Sequence, residues 1–139
     1  MPVNGTYVAG QNLDFTVNFS EAVTVDSSGG TPRIAVTLDT GGTVFADYLS
    51  GSGSSALVFQ YVIQASQTDI NGIAIPLNAL ELNGGTLKDA TGNDAVLTHG
   101  AVANNASYQV DTTAPSVTSG AAAAAISENS GAGQTVYTA

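Results

Sequence analysis

The residues of this chain best suited to chemistry are carboxylates and amides set in glycine-bearing turns, and the chemistry they suit is cation coordination. Asp69 and Asn71 lie in Gln67-Thr68-Asp69-Ile70-Asn71-Gly72, and Asp89, Asn93 and Asp94 share a second turn with Gly92. Asp111 stands in Val110-Asp111-Thr112-Thr113-Ala114-Pro115, after which the sequence changes texture. Calcium takes roughly six to eight oxygen ligands from carboxylates, amide carbonyls, backbone and water, and turns of this kind can supply them. Plain turn chemistry accounts for the same residues: Asn-Gly favours positive φ, and Asp and Asn side chains hydrogen-bond nearby backbone. Both readings stand for the two turns. Asp111 is the stronger candidate because of its place. A seam between modules can gather ligands from the seam, from an end loop of the first module and from the start of the next. Glu21, just after the first long apolar/polar run, is expected in such an end loop.

Catalysis finds little support. His99 is the only histidine. A triad of His99 with Asp94 and one of Ser50, Ser52 or Ser54 is conceivable, but no nucleophile-elbow pattern accompanies it. His99 is read as a loop histidine and the chain as non-catalytic. Nothing singles out two of the eleven acids as a glycosidase pair. Zinc would need several His or Cys ligands. A glycan would need aromatic platforms. There is no Trp, and Tyr48 and Tyr61 fall on expected core faces, which leaves Tyr7, Tyr108 and Tyr137 as possible exposed rings. The acceptor patterns at Asn4, Asn18 and Asn105 are read as chance matches.

Composition narrows the partners. Eleven acids face two bases, Arg33 and Lys88, for a formal charge of −9, which argues against nucleic acid and anionic membrane and permits divalent cations. Charged residues are only 9% of the 139, so the polar surface must be built from Thr, Ser, Asn and Gly. Hydrophobic residues make up 43%, enough for a packed core. Without cysteine there can be no disulfide or thiolate site. No basic-then-apolar leader precedes Asn4, and no apolar run approaches the roughly 20 residues of a membrane-spanning helix. Pro2-Val3-Asn4-Gly5 reads as entry from preceding chain, so the sequence is expected to be a piece of a longer one.

The elements that must hold these turns are strands. In Leu13-Asp14-Phe15-Thr16-Val17-Asn18-Phe19 apolar and polar residues alternate with period two, the mark of a half-buried strand. Ile34, Val36 and Leu38 repeat the pattern, as do Val44, Ala46 and Tyr48. Leu57, Phe59, Tyr61 and Ile63 form the longest face, with Val58 and Val62 apolar behind them, so that strand is expected to be central. Residues 73–75, 80–82, 95–97 and 106–110 complete the set. Gly-rich turns fall between, and no stretch keeps a 3.6 period. Roughly seven to nine short strands predict an all-β, immunoglobulin-like Greek-key β-sandwich over residues 1–110. Residues 111–116 are expected to be an inter-module linker. Residues 117–139 are too few for a core of their own.

The order of these segments also carries a family likeness. Gly5-Thr6-Tyr7-Val8-Ala9-Gly10-Gln11-Asn12-Leu13, Ala46-Asp47-Tyr48-Leu49-Ser50-Gly51 and Asn83-Gly84-Gly85-Thr86-Leu87-Lys88-Asp89 resemble bacterial immunoglobulin-like repeats of large secreted surface adhesins, as do residues 110–115. Ile126-Ser127-Glu128-Asn129-Ser130 resembles the first strand of a cadherin-like repeat, so residues 117–139 are expected to begin such a module. The resemblance implies an extracellular, cell-surface extender or adhesion module, often calcium-dependent, with neighbouring repeats as partners and a host glycan or protein as a further one; a ligand-binding module or an accessory domain of a secreted hydrolase is the alternative. By the same resemblance Glu128 is a candidate calcium ligand, and Gln67 stands where similar repeats often carry an acid. The module is expected to be a monomer, with strand exchange through the C-terminal residues as the alternative.

Overall fold

The computed structural model describes residues 2–118, and among them the chain is all-β. Its strands are β1 (Gly5–Tyr7), β2 (Asn12–Asp26), β3 (Arg33–Leu38), β4 (Gly42–Ser50), β5 (Ser54–Val62), β6 (Thr68–Asp69), β7 (Leu80–Glu81), β8 (Thr86–Lys88) and β9 (Tyr108–Asp111). They form a six-stranded sheet in the order β7-β3-β4-β5-β2-β8 and a three-stranded sheet in the order β1-β9-β6. Strands β3, β4 and β5 follow one another as hairpins, and β2 returns beside β5, which is a Greek key. The two sheets make the expected sandwich, with β5 inside the larger one.

Alternation decides which side of each strand is buried. Leu13, Phe15 and Val17 of β2 pair with Tyr61, Phe59 and Leu57 of β5, and Ile34 and Val36 of β3 pair with Ala46 and Val44 of β4. Successive side chains of a strand point to opposite faces, so these pairs share the inner face. Leu13, Val36, Ala46, Leu57 and Phe59 are fully buried there, together with Leu87 of β8 and Ile63 and Ile73, and Val110 joins the core from the small sheet. On the outer face one polar row crosses five strands in register, from Glu81 through Arg33, Asp47 and Gln60 to Asp14. Arg33 pairs with Glu81 at 2.9 Å and lies 3.8 Å above the Phe45 ring.

Two expected strands are absent. Residues 95–97 are extended but unpaired as a strand, because the chain meets β8 only through the Lys88–Asp94 bridge and the Ala95 N–H to Leu87 carbonyl bond. Residues 73–75 make only single bridges, Thr37–Ala74 and Ile75–Val102, in the short interval between Gly72 and Pro76. Residues 95–105 therefore form a strap over the core rather than an edge strand. Sheet edges stay short: β7 has two residues and β8 three, which limits pairing with other chains.

The chain enters and leaves in one direction. β1 and β9 are parallel, with Gly5 opposite Tyr108 and Tyr7 opposite Val110. β9 thus leaves the small sheet at the end away from where β1 enters it. Beside this pair, Gly72 seats the strap. Its φ is +99°, and a Cβ there would lie 2.0 Å from the Asn105 carbonyl oxygen. At Gly42, φ is +67° but nothing lies within 4 Å of a Cβ. Gly72→Ala is expected to cost on the order of 3 kcal/mol, from backbone strain plus overpacking, and Gly42→Ala only about 1 kcal/mol. Urea midpoints of the two variants check the contrast; equal losses would refute the packing argument.

Candidate functional site

The candidate ligands fall into two groups at opposite ends of the sandwich. Strand β4 spans from the turn at residues 39–42 to the turn at residues 51–53. Nine extended residues cover roughly 27–30 Å. Asp111 pairs with Thr68, which bridges Thr40 at the first turn. Glu21 sits beside the second turn, where Val23 pairs with Ser54 and accepts a bond from the Gly53 N–H. The expectation that Glu21 joins Asp111 in one joint is therefore corrected. A bulge in β2 sets four residues, Phe19, Ser20, Glu21 and Ala22, opposite Ser55 alone and carries Glu21 to the far end.

At the exit end Asp39, which the sequence reading passed over, is the organiser. Its carboxylate accepts the Ile70 N–H at 3.0 Å and the Asn71 side-chain amide at 2.7 Å. Asn71 in turn accepts from the Asn104 amide, which ties the strap to the loop. Asp69 is only 1% exposed and accepts the Gly72 N–H at 2.6 Å. Burial pushes its carboxyl above the usual range, and the nearby Asp39 charge adds to this, against the Gly72 and Asp39 backbone bonds. Gln67 is buried, with Oε1 accepting the Gln64 N–H at 2.9 Å and its amide 2.7 Å from the Tyr61 hydroxyl. This side chain is a structural amide. The Gln67 backbone carbonyl accepts the Thr112 hydroxyl at 2.9 Å, and Asp111 accepts the Thr113 N–H at 2.9 Å. The start of the expected linker is thus fastened to the sandwich.

At the other end the β2 bulge and the turn after β8 enclose a cleft of about 430 Å³, lined by Phe19, Glu21, Asp89, Asn93, Asp94 and Val96 among others. Four of the eight candidates meet here. Asp89 is already committed: it accepts the Thr91 N–H, the Thr91 hydroxyl, the Asn93 N–H and the Asn93 amide at 2.8–2.9 Å. The Asn93 side chain and backbone, then Thr91, hold its carboxyl down to about 2. Asp94 pairs with Lys88. Glu21 is exposed.

Among the described residues no three Asp, Glu or His side chains converge to hold an ion. Among the described residues the exit end supplies Asp111, with one carboxylate oxygen bonded to the Thr113 N–H and no partner to the other, but not a complete ligand set. Glu128 and Tyr137 lie outside the described residues. Tyr7 and Tyr108, the other possible exposed rings, are half-buried against the core instead: β9 lies between β1 and β6 in the small sheet, and the Tyr7 hydroxyl donates back to the Val3 carbonyl. His99 stands on the strap, with Nε2 accepting the Ala79 N–H at 2.8 Å. No family model, curated protein or solved structure matches the chain.

These carboxylates make stability pH-dependent in two senses. Asp89 is held below the ordinary carboxylate value of about 3.9, so its contribution is full above that value and is lost as pH falls toward about 2. Asp69 is raised, so its ionised form weighs against the fold, and acidification through its raised value relieves that. Asp69→Asn should therefore melt higher than the parent at neutral pH, with the gain vanishing below about pH 4. Asp89→Asn should melt lower at neutral pH and lose less on acidification. Melting curves from pH 2 to 7 check both signs.

Proposed function

We propose that this chain is a non-catalytic extender or adhesion module of a repetitive bacterial cell-surface protein, stacked end to end with its neighbours and stiffened by calcium at the joint. The parallel β1–β9 pair carries this reading. A chain that enters at one end of a sheet and leaves at the other suits a string of modules, whereas antiparallel termini would fold neighbours back side by side. Two bonds at the exit support it, Thr112 to Gln67 and Thr113 to Asp111, since they fasten the chain where it leaves β9. The ordered likeness to adhesin repeats and the charge of −9 point the same way.

Calcium enters at the exit end. Asp111 offers one carboxylate oxygen there, and the remaining ligands belong to the chain that follows, Glu128 first among them. At extracellular affinities of about 10⁻⁴ to 10⁻³ M, roughly 10 mM calcium would stabilise such a joint by about 1.4–2.7 kcal/mol. In solution scattering, two copies joined through residues 110–115 and continued through residue 139 should be about twice as long as one. Chelator should shorten and broaden the distance distribution, and Asp111→Ala should abolish the chelator effect while leaving each sandwich intact. Two copies packed side by side would overturn the extender reading. A long particle indifferent to chelator would overturn the calcium role alone.

A further inference from the structure

We propose that His99 is an acid-sensitive latch, whose protonation releases the strap of residues 95–105 from the turn at Ala79 and fully opens the apolar pocket beside it. The imidazole's two nitrogens have opposite partners. Nε2 faces the Ala79 N–H at 2.8 Å, and Nδ1 faces the Gly100 carbonyl at 2.8 Å. A backbone N–H can only donate and a carbonyl can only accept, so the latched ring is the neutral tautomer with its hydrogen on Nδ1. A proton taken from solvent can go only to Nε2. It then sets N–H against N–H, and Ala79, only 4% exposed, loses its acceptor.

The rest of the strap has little to hold it at this point. His99 N–H bonds to the Asn78 side chain and Asn78 N–H to the His99 carbonyl, on a turn where Asn78 has a φ of 54°. The next attachments along the strap are Ile75 with Val102 and then Asn104 with Asn71, and before them Ala95 bonds to Leu87. Beside the strap lies a half-open apolar pocket of about 270 Å³ lined by Phe15, Val17, Ile34, Ile75, Gly100 and Val102 along with His99 and Thr16, and release of the strap would open it fully. Among the described residues no charged group lines it. The turn at residues 76–79 carries none, and Asp14 and Arg33, next to Phe15 and Ile34 in sequence, belong to the outer polar row. Asp94, near the start of the strap, is paired with Lys88. Among the described residues none nearby offers the charged ring a counter-ion, so opening to water is its route to solvation.

Amide hydrogen exchange on the described chain, read at about pH 7.5 and about pH 5 and corrected for intrinsic rates, tests the latch, since histidine changes charge in this interval. Loss of one hydrogen bond at a buried site should lower protection at Ala79 and Val102 by about tenfold, with Phe59 unchanged. An apolar-sensitive dye should bind more at the lower pH. His99→Gln keeps an acceptor for Ala79 without a titrating group, so its protection should not depend on pH. Asp69→Asn should leave the response intact, which separates it from the buried carboxylate. Unchanged Ala79 protection in the parent would overturn the proposal whatever the variants do. So would an equal loss in His99→Gln.

Discussion

The ladder between β2 and β5 is the constraint on which the rest depends. Seven successive pairs, from Asn12 with Val62 to Asn18 with Ala56, fix Leu13, Phe15 and Val17 against Tyr61, Phe59 and Leu57. A slip of one residue would turn that whole set outward, so register is specified by burial rather than by the turns. Because β2 is not hairpin-connected to β5, the pairing closes a long loop that holds β3 and β4 within it. Once it is made, the hairpins of β3, β4 and β5 have one place to lie. The bulge at Phe19 to Ala22 falls where this ladder ends, so the cleft is a by-product of where the pairing stops. At the opposite end the same ladder delivers the chain, through the Gly10 N–H to Ile63 carbonyl bond, to the turn from which β2 starts.

Charge imposes the second constraint. The two basic side chains are both engaged, Arg33 with Glu81 and Phe45, and Lys88 with Asp94. Most other carboxylates therefore need a different kind of partner, and several find backbone N–H groups. Asp26 accepts from Ser28, Asp39 from Ile70, Asp69 from Gly72, Asp89 from Thr91 and Asn93, and Asp111 from Thr113. Each such bond orders a turn and favours the ionised acid, which is why Asp26 and Asp89 lie below the ordinary carboxylate value. Asp69 is the exception because burial outweighs its bonds. The oxygens that suit calcium are thus largely the ones that hold the loops, and an ion at these turns would have to take what the backbone leaves.

The sandwich was legible from period two because each long strand has one wet and one dry side. Leu13 to Phe19, Ile34 to Leu38 and Leu57 to Ile63 say so without help from elsewhere. The short strands were not. β1, β6 and β8 have two or three residues each and exist only because a distant strand lies beside them. The strap misled for the complementary reason: Ala95 and Leu97 alternate like a strand but face the core as a single covering layer. For the site, the sequence could name Asp69, Asn71, Asp89, Asn93 and Asp94 as turn residues, and both turns exist. It could not place Glu21 and Asp111 at opposite ends, since that follows from a bulge and a Greek key, both non-local. Asp39 sat in Leu38-Asp39-Thr40-Gly41, a turn signal of the same kind as the others, and its role became visible only once residues 70 and 71 came to lie against it.

The exit geometry bears on what an ion would do at a joint. Thr112 and Thr113 are tied to Gln67 and Asp111 without any metal, and Pro115 fixes its own φ three residues after the first tie. Buried Gln67, itself locked to Tyr61 and Gln64, makes the anchor part of the core rather than a surface contact. Direction at the exit is then a property of the folded module. An ion bound by Asp111 and the following chain would restrict the remaining hinge freedom about an axis already set. In that arrangement calcium would act on stiffness rather than on fold, and the amide at Gln67 serves the anchor: a carboxylate there would place a second buried charge two residues from Asp69, and it would have no amide to offer the Tyr61 hydroxyl.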